Sequence, residues 1–550
     1  MRTTQRTAFC VTVSFVFALL TATAVRSQVY TDLVNLGETN TDPLNPAWMG
    51  TFAQGRDGNL YSTTQAGGQF TQGHQYGTVF RLTPSGDMTE LYSFANTGDG
   101  ALPNSGLTLA TDGNFYGTTP VGGANGYGTI FRITSSGNYT VMHSFVGTTE
   151  GSNANTPPIQ GFDGNLYGTT GDGVNMFGAF YKMTPAGVVT VLYKFPSTNR
   201  YPRGIVLGTD GNFYGTTVGT SQGLGTVFKM TPKGQITILH QFAGTDGANP
   251  IGQLIQANDG NFYGTTEKGG TGAQGVVFKT TASGVFTVLH NFANDSNGMD
   301  PLAGLVEGTD GNFYGTLLAN PGVSGGLLFR ITPSGAYTIL YQYLSKNKDG
   351  NAPQTAMIQH TSGTFFGDTT SGGAGAFCGC GVLYSLDMDL GPFVTFLPPQ
   401  SQAKVGKSIG LFGQGFTGAT NVTFNGTPAS FSVVSDTYIT ATVPSGAGTG
   451  AIRVSTSGGA LISNKVFRVT PQLLSFAPPQ GPVGTQVTIT GVSLTQAKGV
   501  GFGDRIPAQY TVNSDTQVTA IVPVGAKTGK VGIETKGGTA ISSGTFTVTQ

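Results

Sequence analysis

The segment Asp112–Thr119 reads DGNFYGTT, and it decides the fold because it recurs. It is DGNLYSTT from Asp57, DGNLYGTT from Asp163, DGNFYGTT from Asp210 and Asp259, DGNFYGTL from Asp310, and a worn SGTFFGDT from Ser362. Starts spaced 47 to 55 residues apart give seven units in unbroken succession. In the second unit, LTLA leads into the turn TDGN, followed by NFYGTT, TIFRIT, a turn at SSG, and YTVMHSF. Asp-Gly between apolar runs is a strong hairpin signal, because tight primed turns need residues that tolerate positive φ. Each unit therefore predicts four short antiparallel strands.

Four-stranded units repeated four to eight times predict a β-propeller, here with seven blades around a central channel. Both faces of each blade would be covered, which accounts for adjacent apolar residues such as Phe115 and Tyr116. An open stack would expose edges and apolar faces at its ends, so the ring must be closed. The fourth-strand phrase occurs six times, as TELYSF, TVMHSF, TVLYKF, TILHQF, TVLHNF and TILYQY, and the seventh unit stops after VLYSLD at 382. The missing copy stands at the N-terminus as TDLVNL from Thr31, so Thr31 to Leu36 is expected to supply the last outer strand. One proline is expected in each interblade loop: Pro46, Pro103, Pro157, Pro202, Pro250, Pro301 and Pro353.

From about Gly391 an eighty-residue pattern takes over, with FLPPQ at 396 repeated as FAPPQ at 476 and SDTYITATVP at 435 as SDTQVTAIVP at 514. Alternating runs such as AIRVSTS and KVGIETK predict small β-sandwiches. The expected fold is thus all-β: a seven-bladed β-propeller closed by its N-terminal strand over 28–390, then two immunoglobulin-like β-sandwich domains over 391–470 and 471–550.

Both C-terminal copies resemble the IPT/TIG family, through the Pro-Pro entry, the apolar segment after Gly406 and Gly484, and the V-P-x-G-A step. That resemblance implies an extracellular spacer or binding module. The fifty-residue unit resembles the GloVer-type tandem repeat of bacterial choice-of-anchor proteins, through D-G-N-F-Y-G-T-T and G-T-V-F-K/R-x-T-P-x-G, and this implies no particular activity. A weaker similarity to streptogramin-lyase-like propellers carries over no lyase residue, because Tyr stands here where those repeats favour Trp-Phe.

The chain has 550 residues with 27 basic and 27 acidic side chains, and that balance argues against a nucleic-acid or anionic-membrane surface. Arg2 and Arg6, an apolar run from Ala8 to Leu20 and small residues up to Ser27 read as a signal peptide over 1–27. Secretion to the exterior, the cell surface or the periplasm is expected, with no membrane span after its removal, and the mature protein is expected to be a monomer. Removal of Cys10 leaves Cys378 and Cys380, whose pairing as a local staple stays open.

No zinc-ligand spacing, nucleophile elbow or phosphate loop is present, so no metal, cofactor or catalytic residue is assigned. The repeating Asp residues belong to tight turns, and the basic residue of each third strand (Arg81, Arg132, Lys182, Lys229, Lys279, Arg330) is expected to pair with them, since unit seven has Ser362 and Ser385 at the two positions. His143, His240 and His290 share a repeat position with Tyr92, Tyr193 and Tyr341 and read as structural. Function is sought in residues that break the repeat on the rim bearing the long loops. These are Trp48, His74, Tyr76, Tyr127, Glu150, Asp172, Phe177, Arg203 and Glu267. Acids among exposed aromatics suit a glycan. The expectation is a non-enzymatic binding protein for an extracellular polysaccharide or protein. The alternatives are a carbohydrate-active hydrolase or lyase at the channel mouth, for which Glu150 and Asp172 should approach each other across a pocket, and a structural envelope or matrix component.

Overall fold

A computed structural model describes residues 28–550 apart from 40–41, 47–50, 70–73, 173–176, 221–222, 320–324, 345–348, 376 and 504. The signal-peptide reading over 1–27 and the candidate Trp48 lie outside the described residues. The chain is all-β: strands connect through turns, and the helical segments among the described residues are single 3-10 turns at Ser197–Asn199 and Phe416–Gly418.

Each repeat unit builds one antiparallel sheet. In the second, Thr108–Leu109, Phe115–Thr119, Thr129–Ile133 and Tyr139–Ser144 lie side by side in sequence order, as the turn signals predict. Six such sheets run consecutively. In a seventh, Ile358–Gln359, Phe365–Thr369 and Val382–Asp387 are completed by Val29–Asn35, which runs antiparallel to Val382–Asp387 with Tyr30 opposite Leu386. That N-terminal strand slips register between Asp32 and Val34, as the outer strands of the other sheets do at the matching place, for example between Val141 and His143. Register slippage of this kind bends the strand and raises its local twist.

Aromatic rings join neighbouring sheets. In five sheets the Tyr of the second strand lies on the Phe of the next unit: Tyr61 on Phe115 at 4.1 Å, Tyr167 on Phe213 at 4.4 Å, Tyr214 on Phe262 at 3.8 Å, Tyr263 on Phe313 at 4.1 Å and Tyr314 on Phe365 at 4.3 Å. Such pairs are worth about 0.5–1.5 kcal/mol each beyond the area they bury. A second series runs between outer strands, with Tyr92 stacked on Tyr139 at 4.0 Å and His290 on Tyr337 at 4.5 Å. Tyr30 continues that series by stacking on Tyr341 at 3.8 Å. The seventh and first sheets share a core of Leu36, Phe52, Leu60, Phe80, Phe366 and Leu383.

At the start of every sheet one residue that is not glycine adopts the left-handed conformation: Asn45, Leu102, Asn153, Tyr201, Asn249, Asp300 and Ala352, with φ between 51° and 59°. The backbone makes this affordable by satisfying both polar groups. The Tyr201 amide donates to Phe177 O at 3.1 Å, and Tyr201 O accepts from the Val218 amide at 3.1 Å, tying one sheet to the next. Proline follows this residue in six sheets. In the third sheet it is Ala154, so the expected Pro157 lies three residues past the equivalent position. Cys378 and Cys380 are joined by a disulfide, with Cα atoms 5.2 Å apart.

Each C-terminal module is a two-sheet sandwich with the same strand plan. In the first, Thr395–Phe396, Ser408–Phe412, Tyr438–Thr442 and Phe431–Ser435 face Thr427–Ala429, Asn421–Phe424, Ile452–Thr456 and Gly459–Ile462 across a core that includes Leu411, Phe416, Val422 and Phe467. The second repeats the plan from Gln472–Ala477 onward. The first module sits on the tight-turn end of the repeat region: the hydroxyls of Ser435 and Thr437 donate to Arg56 O at 3.0 and 2.8 Å, and the Arg56 guanidinium lies 4.9 Å above the Tyr438 ring.

Candidate functional site

The repeating acids are consumed by their own turns. Asp57 accepts from the Asn59 amide at 3.2 Å, from Asn59 Nδ2 at 2.7 Å and from the Tyr61 hydroxyl at 2.7 Å. The tyrosine bond recurs at Asp112, Asp163, Asp210, Asp259 and Asp310. Burial, followed by the carboxylate's presence, raises the Tyr61 hydroxyl above its ordinary range. The expected pairing with the third-strand base is therefore corrected. Among the described residues only Lys229 makes an ion pair with its turn acid, Asp210, at 2.8 Å, whereas Arg81 donates to Thr89 Oγ1. Tyrosine is the regular partner because it is buried beside the turn, whereas the bases are only half-buried and gain little from a partly solvated pair.

The seventh sheet exchanges three residues of this cluster together. Ser362 replaces Asp, Phe366 replaces Tyr, and His360 fills a position that is Gly or Ala elsewhere, such as Gly55 and Ala110. In the regular units the Tyr ring crowds that glycine: a Cβ on Gly55 would stand 2.6 Å from Tyr61. His360 Nε2 donates to Gly58 O at 2.9 Å, so Nδ1 is the acceptor for Ser362 Oγ at 2.8 Å. Burial holds this imidazole down at about 4, and the bond to Gly58 opposes the shift.

The histidines of the outer strands also have structural partners. His143 Nε2 meets Glu150 Oε2 at 2.7 Å and His240 Nε2 meets Asp246 Oδ2 at 2.8 Å, just as the Tyr92 and Tyr341 hydroxyls donate to Asp99 and Asp349. Glu150 also accepts from the Val146 amide at 3.0 Å, so this acid fastens an interunit loop.

The loop-rich rim draws together Asp172, Arg203 and Glu267. Arg203 follows the left-handed Tyr201 at the start of the fourth sheet, Asp172 follows the second strand of the third sheet, and Glu267 follows the second strand of the fifth. Burial lowers the Arg203 guanidinium from its usual range, while the charges of Asp172 and Glu267 hold it up. Its buried Nε finds no acceptor among the described residues. Asp172 Oδ2 accepts from Asn153 Nδ2 at 2.7 Å, and Lys268, beside Glu267, donates to Asp300 Oδ1 at 2.6 Å. Asn153, Asn155, Gly171, Asp172, Tyr201 and Arg203 line a cavity of about 240 Å³. Hydrogen-bond donors, acceptors and one aromatic ring facing a small open cavity suit a polyhydroxylated or polar ligand.

Tyr76, Tyr127 and Phe177 occupy one repeat position, the residue before the glycine that opens the third strand, in three successive sheets. Tyr127 is 44% exposed and lies against Gly147; Tyr76 and Phe177 are half-buried. His74 is exposed, with its ring 6.1 Å from that of Tyr76. Glu150 and Asp172 are turned to different partners. Sequence reasoning missed Asn153, Asn155 and Tyr201, and also Asp368. Asp368 stands where the other sheets have Thr63, Thr118, Thr169, Thr216, Thr265 and Thr316, a break in the repeat that was there to be read. It is fully buried and raised to about 7 by desolvation, with Thr355 Oγ1 donating to Oδ1 at 2.7 Å. Among the described residues no cluster of three His, Cys, Asp or Glu side chains could hold a metal, and no helix is long and apolar enough to cross a membrane.

Strand-built tandem units joined to sandwich modules define the class of this protein: an all-β repeat protein with immunoglobulin-like appendages. The chain belongs to the Gloeobacter/Verrucomicrobia repeat family, whose model matches residues 20–203 and 158–384, and the IPT/TIG domain model matches 393–468. No curated protein matches the chain. Among solved structures it is similar to a copper-bound fungal alcohol oxidase of the AA5 family (14% identity, 96% of this chain and 100% of that one, TM-score 0.43). It is also similar to the extracellular domain of a putative hybrid two-component system from B. thetaiotaomicron (11% identity, 93% of this chain and 66% of that one, TM-score 0.43). A surface glycan-binding protein from Prevotella bryantii overlaps less (17% identity, 26% of this chain, TM-score 0.22), and the match spans only 38% of that protein's length. None of these superpositions reaches the similarity at which a shared function could be read.

Proposed function

We propose that the seven sheets form one seven-bladed β-propeller fastened by the N-terminal strand, and that the protein is a secreted or cell-surface, non-enzymatic binder of an extracellular glycan. The observation that carries this reading is Arg203: a guanidinium flanked by Asp172 and Glu267, with an unpartnered Nε, beside a small polar cavity on the loop-rich rim. Charged and amide groups of this kind make paired hydrogen bonds to adjacent sugar hydroxyls, and the Tyr76, Tyr127 and Phe177 series offers rings on which sugar faces stack. The two sandwich modules serve as spacer or docking arm.

A panel of extracellular polysaccharides run against the purified mature chain, scored for both retention and product release, tests this. Retention of at least one glycan, reduced tenfold or more by Arg203→Met with an unchanged melting profile, is the expected result. Retention indifferent to Arg203→Met would refute the assigned site. The hydrolase reading has one observation in its favour, that two carboxylates act on the same arginine. Product release lost in Asp172→Asn or Glu267→Gln would replace the binding-only reading with it.

A further inference from the structure

The end of the repeat region opposite the loop-rich rim holds a second, larger cavity. The first sandwich module touches this end at two separated places. On one side Gln414 Nε2 donates to Thr361 Oγ1 at 2.8 Å, beside the Arg56 contacts. On the other, Asn258 Nδ2 donates to Asn464 O at 2.8 Å. Between them a space of about 560 Å³ is walled by the innermost strands of six sheets and roofed by the module. Its volume falls in the range of small-molecule sites, roughly 300–1,000 Å³.

The lining has a definite chemistry. Leu107, Ile205, Phe396 and Phe412 give it an apolar body. Lys465 and Arg468 supply positive charge, and no carboxylate lines the cavity among the described residues. Lys465 Nζ donates to Gln256 O at 3.2 Å, its one hydrogen bond among the described residues. Desolvation lowers the pKa of both cations. Glu307 opposes this at Lys465, and Asp210 at Arg468, from outside the lining. Glu307 is itself held by the Asn258 amide at 3.1 Å, and Asp210 by Lys229. Lys465 is exposed and Arg468 half-buried, so both offer positive charge at the edge of an apolar space whose lining, among the described residues, holds no acid to pair with them. Phe162 and Val466 line the cavity and remain 39% and 52% exposed, which marks a way in past the module's edge.

We propose that this cavity is a second binding site, independent of the loop-rich rim, for a small amphipathic carboxylate, with its hydrocarbon body among Leu107, Ile205, Phe396 and Phe412 and its carboxylate on Lys465 and Arg468. Titration calorimetry of the mature chain with decanoate, decanol and decyltrimethylammonium tests it. Decanoate binds at one site per chain, and Lys465→Met and Arg468→Met each weaken it at least tenfold. Val466→Trp, which narrows the entrance, weakens it too, whereas Arg203→Met leaves it unchanged. Melting curves identify any variant that fails to fold, and the remaining one of the two charge variants then decides. Absence of decanoate binding below its micellar concentration overturns the proposal. So does equal affinity for decanol or the decyl cation, binding indifferent to the folded charge variants, or loss of binding in Arg203→Met.

Discussion

Asp368 places a titration inside the seventh sheet. Its folded value of about 7 lies well above the ordinary 3.8 because the carboxyl is fully buried. The native state therefore keeps a proton that the unfolded chain releases. With respect to this group, stability is greatest below about pH 4, falls as pH rises to about 7, and is flat beyond. At about 1.4 kcal/mol per pH unit the loss is about 4 kcal/mol. His360 acts in the opposite direction: held at about 4 against an ordinary 6.5, it resists a proton that the unfolded chain accepts, so its contribution falls by about 3 kcal/mol as pH drops from 6.5 to 4. Between pH 4 and 6.5 the two slopes oppose each other, and only single variants reveal them. Asp368→Asn is expected to match the parent protein near pH 4 and to exceed it by about 2–4 kcal/mol at pH 8. Because the chain has several folding units, the measurement is amide hydrogen exchange of Phe365–Thr369 from pH 5 to 8, corrected for intrinsic rates, with thermal melts covering the acid limb. Parallel pH dependences in the two proteins, or a variant less stable than the parent at pH 8, would refute the reasoning.

Deletion of residues 28–40 removes the strand Val29–Asn35 and the Tyr30–Tyr341 stack, so calorimetry should show a strongly lowered transition for the repeat region and unchanged ones for the sandwich modules. An unaltered first transition would speak against that strand as a fastening. Tyr263→Phe deletes a hydroxyl bond to Asp259 and should destabilise by about 1–2 kcal/mol in chemical denaturation, whereas Phe366, which already lacks the hydroxyl, marks the sheet where no such loss is available. Arg56→Ala removes the cation over Tyr438 and its bond to Thr111 O, worth about 1–3 kcal/mol together, and should increase protease cleavage between 388 and 395 without lowering the module's own melting point. Equal cleavage of the two proteins would mean that the contact does not hold the module in place.

The strands were legible because the repeat is written in local chemistry. Asp-Gly turns, paired aromatics and the stray TDLVNL phrase each state a pairing, and Val29–Asn35 lies where the phrase count required it. The joint loss of Asp and base at unit seven does not identify the partner of the turn acid, because other residues of the same cluster change with them. Phe366 and His360 change at the same unit, and they occupy the buried side of the turn, where an unsatisfied group costs most. The rim site was half legible. Asp172, Arg203 and Glu267 stand out as repeat breakers, but sequence spacing does not say that residues of three sheets meet. Glu150 stands out equally, and its role depends on His143, a contact set by the bend of an outer strand. Of the left-handed residues at the sheet starts, Asn45, Asn153, Asn249 and Asp300 are of a type that favours positive φ, whereas Leu102, Tyr201 and Ala352 carry no compositional hint of it.

The exchange of three side chains around His360 also bears on how such a chain avoids mistaken identity. Six nearly interchangeable units could swap neighbours during folding. The imidazole that reaches Gly58 fits only where serine and phenylalanine have cleared room for it, so it gives the seventh unit's side of this joint a contact that the regular units lack.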